Sequence, residues 1–484
     1  MKNKLLLLAV ALLTSWSVKA VDVIEEGVDY YIMNVETDQF LGAQNYWGTQ
    51  GAISTDAGIF QFVPGTTGEG YNIVNTLISV SNKNLGTNLY TDNNGLATVK
   101  DDETAGTTKS VDGIWTIEDQ GGGIFAFKCV SEWKWENDAW VEIPHGYLCK
   151  SETPGYRKGF ELMFSETLTD ACLFRVMTYD QALEYMVDKA QSSNVSFNFL
   201  IKNPDFCRNN STAAWTVSAD CTNKNLAGGD NNNFCAESWR STFTISQIVK
   251  DLPAGRYQLS AQGFYQRYEG DDEAPYVFAG ETKVALPVLN DPENSMTTAS
   301  QAFTAGKYQI DPVRFQLTEK TDLEIGFHSG SNKFWCIWDN IQLMSYSNVA
   351  EYGQEMLTEI NKTYPIEGLA STDVRNAYDQ AYNDFSAFVA GITPGVTTFD
   401  DVDAEYAKFT AAETALKASI ASWSGYTVVA EKVKSNYYEY ALHSDHQPGR
   451  QVQPQHRTGR SEQLRQRSSH GAQLERQRLH LRQR

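Results

Sequence analysis

Tyr265, Arg267, Tyr268 and Tyr276 bracket an acidic loop that runs from Glu269 to Glu273. Further on, Phe334, Trp335 and Trp338 stand beside Asn332 and Lys333, and a separate pair, Tyr46-Trp47, falls in a polar, Gly-containing stretch. Flat aromatic faces next to planar hydrogen-bonding groups are what recognition of a sugar ring requires. The C–H faces of a pyranose are apolar, and its hydroxyls must be fixed by a few oriented donors and acceptors. Tyr265, Arg267, Tyr268, Tyr276, Trp335, Tyr46 and Trp47 are therefore the candidate ligand contacts, while Trp338 and Phe264 read as core. Catalysis is not signalled. Residues 21 to 442 contain only His145 and His328, and neither lies in a Ser-His-Asp or Cys-His signature. HExxH, GxSxG, Walker A and GxGxxG motifs in their proper contexts are absent from the sequence. Glycoside hydrolysis needs only two carboxylates, so that chemistry stays open. The modules described below nevertheless use up the length, leaving no room for a barrel of ~250 residues.

The elements that must position these residues belong to a chain of 484 residues, long enough for about three domains. Its hydrophobic content of 41% and aromatic content of 12% are those of folded protein, and its net charge of −20 argues against nucleic acid and anionic membranes as partners. Lys2 and Lys4 precede an apolar run from Leu5 to Leu13, and Val18-Lys19-Ala20 offers small residues at the −3 and −1 positions. This is the pattern of an export signal over residues 1–20. The run is too short to span a bilayer, which needs ~20 residues, and no second apolar stretch of spanning length follows. The expected location is secreted, periplasmic or cell-surface. Seven Cys do not make a disulfide scaffold. Cys207, Cys221 and Cys235 either contribute one bridge in an oxidising compartment or are buried small hydrophobes.

Residues 22–178 have a threefold internal pattern. Leu-containing turns at Gln39-Phe40-Leu41-Gly42, Asn84-Leu85-Gly86 and Gly146-Tyr147-Leu148-Cys149 are each followed by an alternating strand. Those strands are Ile59-Phe60-Gln61-Phe62, Ile114-Trp115-Thr116-Ile117 and Leu173-Phe174-Arg175-Val176, with Phe60, Trp115 and Phe174 spaced by 55 and 59 residues. Period-two alternation buries one strand face, and repetition at this length implies one unit used three times. Trp115 is assigned to the core. Trp133, Trp135 and Trp140 alternate with charged residues in a predicted hairpin. The region resembles a ricin-type β-trefoil lectin; the aromatic-x-aliphatic strand is similar to that family's QxW signature, with the Gln absent from all three copies. Tyr179 to Gln191 then reads as a helical connector, 179–192 with its Ser192-Ser193 end.

Residues 193–347 open on Asn203-Pro204-Asp205-Phe206, continue through Ala236-Glu237-Ser238-Trp239 and the turn Leu252-Pro253-Ala254-Gly255, and close on Trp335-Cys336-Ile337-Trp338-Asp339-Asn340-Ile341-Gln342-Leu343. Short alternating strands with Gly/Pro turns predict an antiparallel sandwich. The segment resembles jelly-roll, galactose-binding-like carbohydrate-binding modules, and the hairpin Gly255 to Phe264 is similar to those of secreted Bacteroidetes proteins. The resemblance implies a structural Ca²⁺ between the first and last strands, with Asp205 and Asp339 at the matching positions as hard oxygen ligands. Asp339 alternatively caps local backbone N–H groups.

From 348 to 442 the period becomes helical, through Val349, Tyr352, Met356 and Ile360, then Tyr378, Phe385 and Val389, then Val402, Tyr406, Phe409, Leu416 and Ile420. Breaks fall at Pro365 and Thr393-Pro394-Gly395, so a small helical bundle or spacer is expected, with Thr427 to Leu442 beginning another element. The final stretch, 443–484, carries nine Arg, nine Gln and no Lys, against 23 Lys in the preceding chain. It has too little apolar surface to fold and reads as an out-of-frame tail rather than a basic arm.

The expected fold class is multidomain and mainly β: a β-trefoil plus a β-sandwich jelly roll, followed by a small α-helical bundle. The expected function is an exported, non-catalytic carbohydrate-binding protein, or the binding half of a truncated glycan-active enzyme, with glycan or glycoprotein as partner. The alternative is a cell-surface adhesin for host protein. Sequencing the gene around the codon for His443 tests the reading of the tail. A frame shift at the Lys-to-Arg transition is expected, and an intact frame removes the idea.

Overall fold

The computed structural model describes residues 23–45, 50–65, 70–79, 85–90, 96–99, 114–129, 132–137, 139–143, 146–155, 158–208, 210–230, 233–289 and 293–444. The expected export signal, Tyr46, Trp47, His145 and the tail beyond Ser444 lie outside them. The chain divides into two compact units. One comprises the residues up to Met356 together with Gly391–Val402, and the other Leu357–Ala390 with Asp403 onward.

The first unit is mainly β and begins with fourteen strands. They are β1 (Tyr31–Asn34), β2 (Gln39–Asn45), β3 (Gln50–Ser54), β4 (Phe60–Pro64), β5 (Tyr71–Asn75), β6 (Leu85–Tyr90), β7 (Leu96–Val99), β8 (Trp115–Gly121), β9 (Ile124–Cys129), β10 (Glu132–Glu136), β11 (Ala139–Ile143), β12 (Tyr147–Pro154), β13 (Phe160–Ser165) and β14 (Leu173–Met177). Seven of them close a ring, in the order β3, β2, β1, β14, β9, β12, β13 and back to β3. The three repeat aromatics sit where alternation puts them: Phe60, Trp115 and Phe174 are all buried in one cluster with Phe62, Phe127 and Leu148. The Trp115 indole donates to the Leu85 carbonyl at 3.1 Å and stacks on Phe164. Strands β10 and β11 form the expected antiparallel hairpin, with Trp135 opposite Trp140.

Eleven more strands follow: β15 (Val195–Ser196), β16 (Thr216–Val217), β17 (Lys224–Asp230), β18 (Asn233–Trp239), β19 (Phe243–Leu252), β20 (Gly255–Arg267), β21 (Tyr276–Ala279), β22 (Thr282–Ala285), β23 (Val313–Leu317), β24 (Thr321–Ser329) and β25 (Phe334–Tyr346). They make two antiparallel sheets, β17-β18-β25-β20-β23, with β15 on β25, and β16-β19-β24-β21-β22. Trp338 of β25 is fully buried between them, stacked on Phe243 of β19 and Phe327 of β24 at 5.3 and 4.8 Å. Facing sheets that interdigitate in this way form a sandwich. Strand β25 carries a bulge. Its inward residues are Phe334, Cys336 and Trp338, then Ile341 and Leu343, and the register against β20 shifts between Ser260 and Gln262. Asn340 takes the extra place with φ 55°, a left-handed conformation that Asn tolerates better than most residues.

The helix α1 (Tyr179–Ala190) is more than a connector. Thr178 and Gln181 form a capping box at its start. Its buried Ala182, Leu183 and Met186 join Tyr31, Met33 and Phe40 of the first module and Phe197, Phe199 and Tyr257 of the second in one apolar cluster. Phe199 stacks on Phe40 at 4.9 Å and meets Tyr31 edge-on at 5.7 Å. The two modules therefore share a core. A nine-residue helix, α2 (Met296–Thr304), lies over the outer face of the β18–β25–β20 sheet.

In the remaining chain run α3 (Val349–Thr363), α4 (Thr372–Ala390) and α5 (Phe399–Ser444). Within the second unit, Tyr378 packs on Phe409, Phe385 on Tyr406, and Tyr364 stacks on Tyr382. Thr427–Leu442 starts no new element but continues α5, because Gly425 alone is a weak helix breaker, costing ~1 kcal/mol. No helix among the described residues is long and apolar enough to cross a membrane. Cys149, Cys172, Cys207, Cys221, Cys235 and Cys336 are buried and take no part in disulfides, which favours the reading of Cys207, Cys221 and Cys235 as small buried hydrophobes.

Trp338→Ala should cost about 3–5 kcal/mol in denaturant unfolding, because it empties the centre of the sandwich. Trp239→Ala, at a side chain 38% exposed, should cost less than about 1 kcal/mol.

Candidate functional site

The inward row of β25 makes the core, so the alternate residues must face out. Cross-strand register puts Trp239 of β18, Trp335 of β25 and Gln266 of β20 side by side on that outer face. The next row is Glu237, Ile337 and Phe264. Helix α2 covers the second row through Ala299 and Phe303. The first row is covered only in part: Trp335 joins the cluster beneath α2 while Trp239 stays exposed, beside a cavity of about 550 Å³ lined by Glu237, Trp239, Gln266, Tyr268, Trp335 and, from the start of α2, Asn294 to Met296. Cys235 and Ser295 fix that helix start: the Cys235 thiol donates to the Met296 carbonyl, and Ser295 caps Thr298 N–H at 3.2 Å.

Two aromatic side chains at this place reach solvent, Trp239 at 38% and Tyr268 at 44%. Tyr268 is held by its N–H to the Lys333 carbonyl at 2.9 Å and by the Arg240 guanidinium 4.9 Å over its ring. Trp335 forms the floor. It is 6% exposed, edge-on to Phe264 at 5.7 Å, and its indole N–H donates to Glu237 Oε2 at 2.7 Å. Burial pushes the Glu237 carboxyl above its ordinary range, and the indole bond pulls it back. The arrangement offers two ring faces, a carboxylate with acceptor capacity beyond the indole bond, an amide at Gln266 and another at Asn294.

Of the residues singled out in the sequence, Trp335 and Tyr268 meet here, although Trp335 lies on a strand rather than a loop. Tyr265 does not. It faces the other way, is 3% exposed and packs on Phe334 inside the sandwich, which removes it from the ligand set. Arg267 is engaged structurally. It donates to Tyr265 Oη and to Gly270 O, and pairs with Asp271 at 2.8 Å, so it pins the acidic loop. The loop is also tied by Asp272 to Ser331 and Lys333. Tyr276 sits on the opposite sheet, between His328, 4.9 Å away, and the Lys283 ammonium. His328 hydrogen-bonds Thr244 Oγ1 through Nδ1, and burial lowers its pKa. Trp239, Glu237 and Gln266 were not singled out as ligand contacts. Their alternation is visible in the sequence, but their pairing with Trp335 is not.

Asp205 and Asp339, singled out for a calcium ion, stand at one cavity. Both are fully buried and line a second cavity, of about 530 Å³, between the two modules. Their surroundings do not fit calcium. The Lys158 ammonium of the first module lies 2.6 Å from Asp205 Oδ1 and 2.7 Å from Asp56 Oδ2. Among the described residues no three His, Cys, Asp or Glu side chains are grouped as a metal ion would need, whereas Ca²⁺ takes six to eight oxygens. Burial pushes the Asp56 carboxyl up to about 6, against the downward pull of Lys158. Burial works to lower Lys158, but the two carboxylates outweigh it and hold the ammonium protonated. The Asn198 amide donates to Asp56 and to the Ile341 carbonyl, and accepts from Leu343 N–H at 2.6 Å.

No family model matches the sequence, and no curated protein matches it. Solved structures similar to parts of the chain include TmCBM61 in complex with β-1,4-galactotriose, at 14% identity over 30% of this chain and 96% of that one, with a TM-score of 0.20. They also include the CBM22-1–GH10 modules of Clostridium thermocellum xylanase 10B with xylohexaose, at 12% identity over 28% of this chain and 26% of that one, TM-score 0.19. A third is the CBM51-2 and INT domains of Clostridium perfringens ZmpB, at 7% identity over 64% of this chain and 59% of that one, TM-score 0.15.

Trp335→Phe keeps a ring on Phe264 but removes the donor to Glu237. It should destabilise the fold by about 1–2 kcal/mol. Tyr268→Ala, at the exposed rim, should stay within about 1 kcal/mol of the parent. Urea titration of both variants checks the difference.

Proposed function

We propose that the chain is an exported carbohydrate-binding protein whose ligand lies on the outer face of β18, β25 and β20. The observation that carries this reading is the pair of exposed aromatics, Trp239 and Tyr268, beside Glu237, Gln266 and Asn294. An apolar sugar face stacks on the rings while its hydroxyls bond to the carboxylate and amides. On this reading the second module is a jelly roll of the galactose-binding-like kind. The first, with its threefold Phe60, Trp115 and Phe174 core, is a β-trefoil relative. On this reading the protein binds glycan without turning it over, and His328 serves Thr244 and Tyr276 on the other sheet.

Affinity electrophoresis of the full chain against a polysaccharide panel tests this. One glycan class should retard the wild type, and Trp239→Ala and Tyr268→Ala should each weaken binding about tenfold, or about 1.4 kcal/mol. A folded wild-type chain that no glycan retards ends the reading. A protein partner captured after enzymatic deglycosylation would favour an adhesin instead.

A further inference from the structure

We infer that Lys158 of the first module is the resident cation of the second, and that the second module is completed by its neighbour rather than by a metal ion. The reading is independent of any glycan. Asp205 follows the opening Asn203-Pro204 segment, which β25 ties down through Ile341 N–H to the Pro204 carbonyl at 3.2 Å. Its side chain is 1% exposed, and so is the whole of Asp339 beside the same cavity. Two carboxylates buried at this depth demand a positive charge. The first module delivers one from a fixed position. Next to Lys158, Gly159 has φ 59°, and a Cβ there would stand 1.9 Å from the Ile53 carbonyl oxygen of β3. Gly155 N–H also bonds the Gly159 carbonyl at 2.8 Å. The backbone that carries the lysine is therefore pressed onto the barrel wall. The side chain then crosses the seam between Asp56 of its own module and Asp205 of the other.

A tethered ammonium differs from calcium in one decisive way: it is present whenever the two modules are docked, at any calcium concentration.

The test is thermal unfolding of the full chain, with chelator and with millimolar calcium. The wild type should melt at the same temperature in both. Lys158→Met should lower the midpoint by roughly 10 °C, and added calcium should not restore it, because the carboxylates left behind are not grouped as a metal ion needs. Adding Asp56→Asn and Asp205→Asn to Lys158→Met should recover part of the lost stability, because the unpaired charge is then removed. Lys158→Arg, which keeps the charge, guards against a Met variant that fails to fold and should remain indifferent to calcium. A wild type stabilised by calcium and weakened by chelator overturns the proposal, as does a Lys158→Met chain as stable as its parent.

Discussion

Adjacent residues of a β-strand cannot face the same way, and in β25 that constraint decides almost everything else. Phe334, Cys336 and Trp338 point inward and hold the sandwich together. Trp335 must then point outward, where Glu237 and Trp239 flank it across the register. The bulge at Asn340 reverses the parity, so that Ile341 and Leu343 return to the core after Asp339 has faced the seam. A single strand thus supplies the core, the floor of the aromatic platform and one wall of the inter-module cavity. A one-residue slip in its pairing would exchange these roles wholesale.

The seam between the modules combines two kinds of interaction with different demands. The apolar part, with Phe40, Tyr31 and Phe199, is tolerant of detail and supplies adhesion through buried area. The polar part is exacting. Asn198 satisfies Asp56, Ile341 and Leu343 at once, and Lys158 sits between two carboxylates at hydrogen-bonding distance. Buried groups of this type add little to net stability when complete and cost much when one is missing. They fix how the modules dock more than how strongly.

The platform itself was partly legible. Trp335 and Tyr268 stand out because large aromatics beside charged and amide residues are chemically conspicuous. Tyr265 was equally conspicuous and belongs to the core, because neighbours in a strand look alike in sequence while facing opposite ways. Tyr276 and Arg267 were legible as polar-aromatic neighbours, but one lies on the opposite sheet and the other is consumed in holding the acidic loop. Trp239 and Glu237 gain their role only from standing next to Trp335, which is a fact about register.

The sequence by itself determined what depends on local periodicity: strands with one apolar face, the threefold recurrence of Phe60, Trp115 and Phe174, and the change to helical spacing after Val349. Only the tertiary structure decided what depends on meetings between distant segments. It placed Lys158 where a calcium ion was expected, joined two modules through one core, and assembled an aromatic site from three strands. The physical reason is that a side chain's environment is set by which residues stand across from it, and pairings between Lys158 and Asp205 or Trp239 and Trp335 leave no periodic trace in either segment.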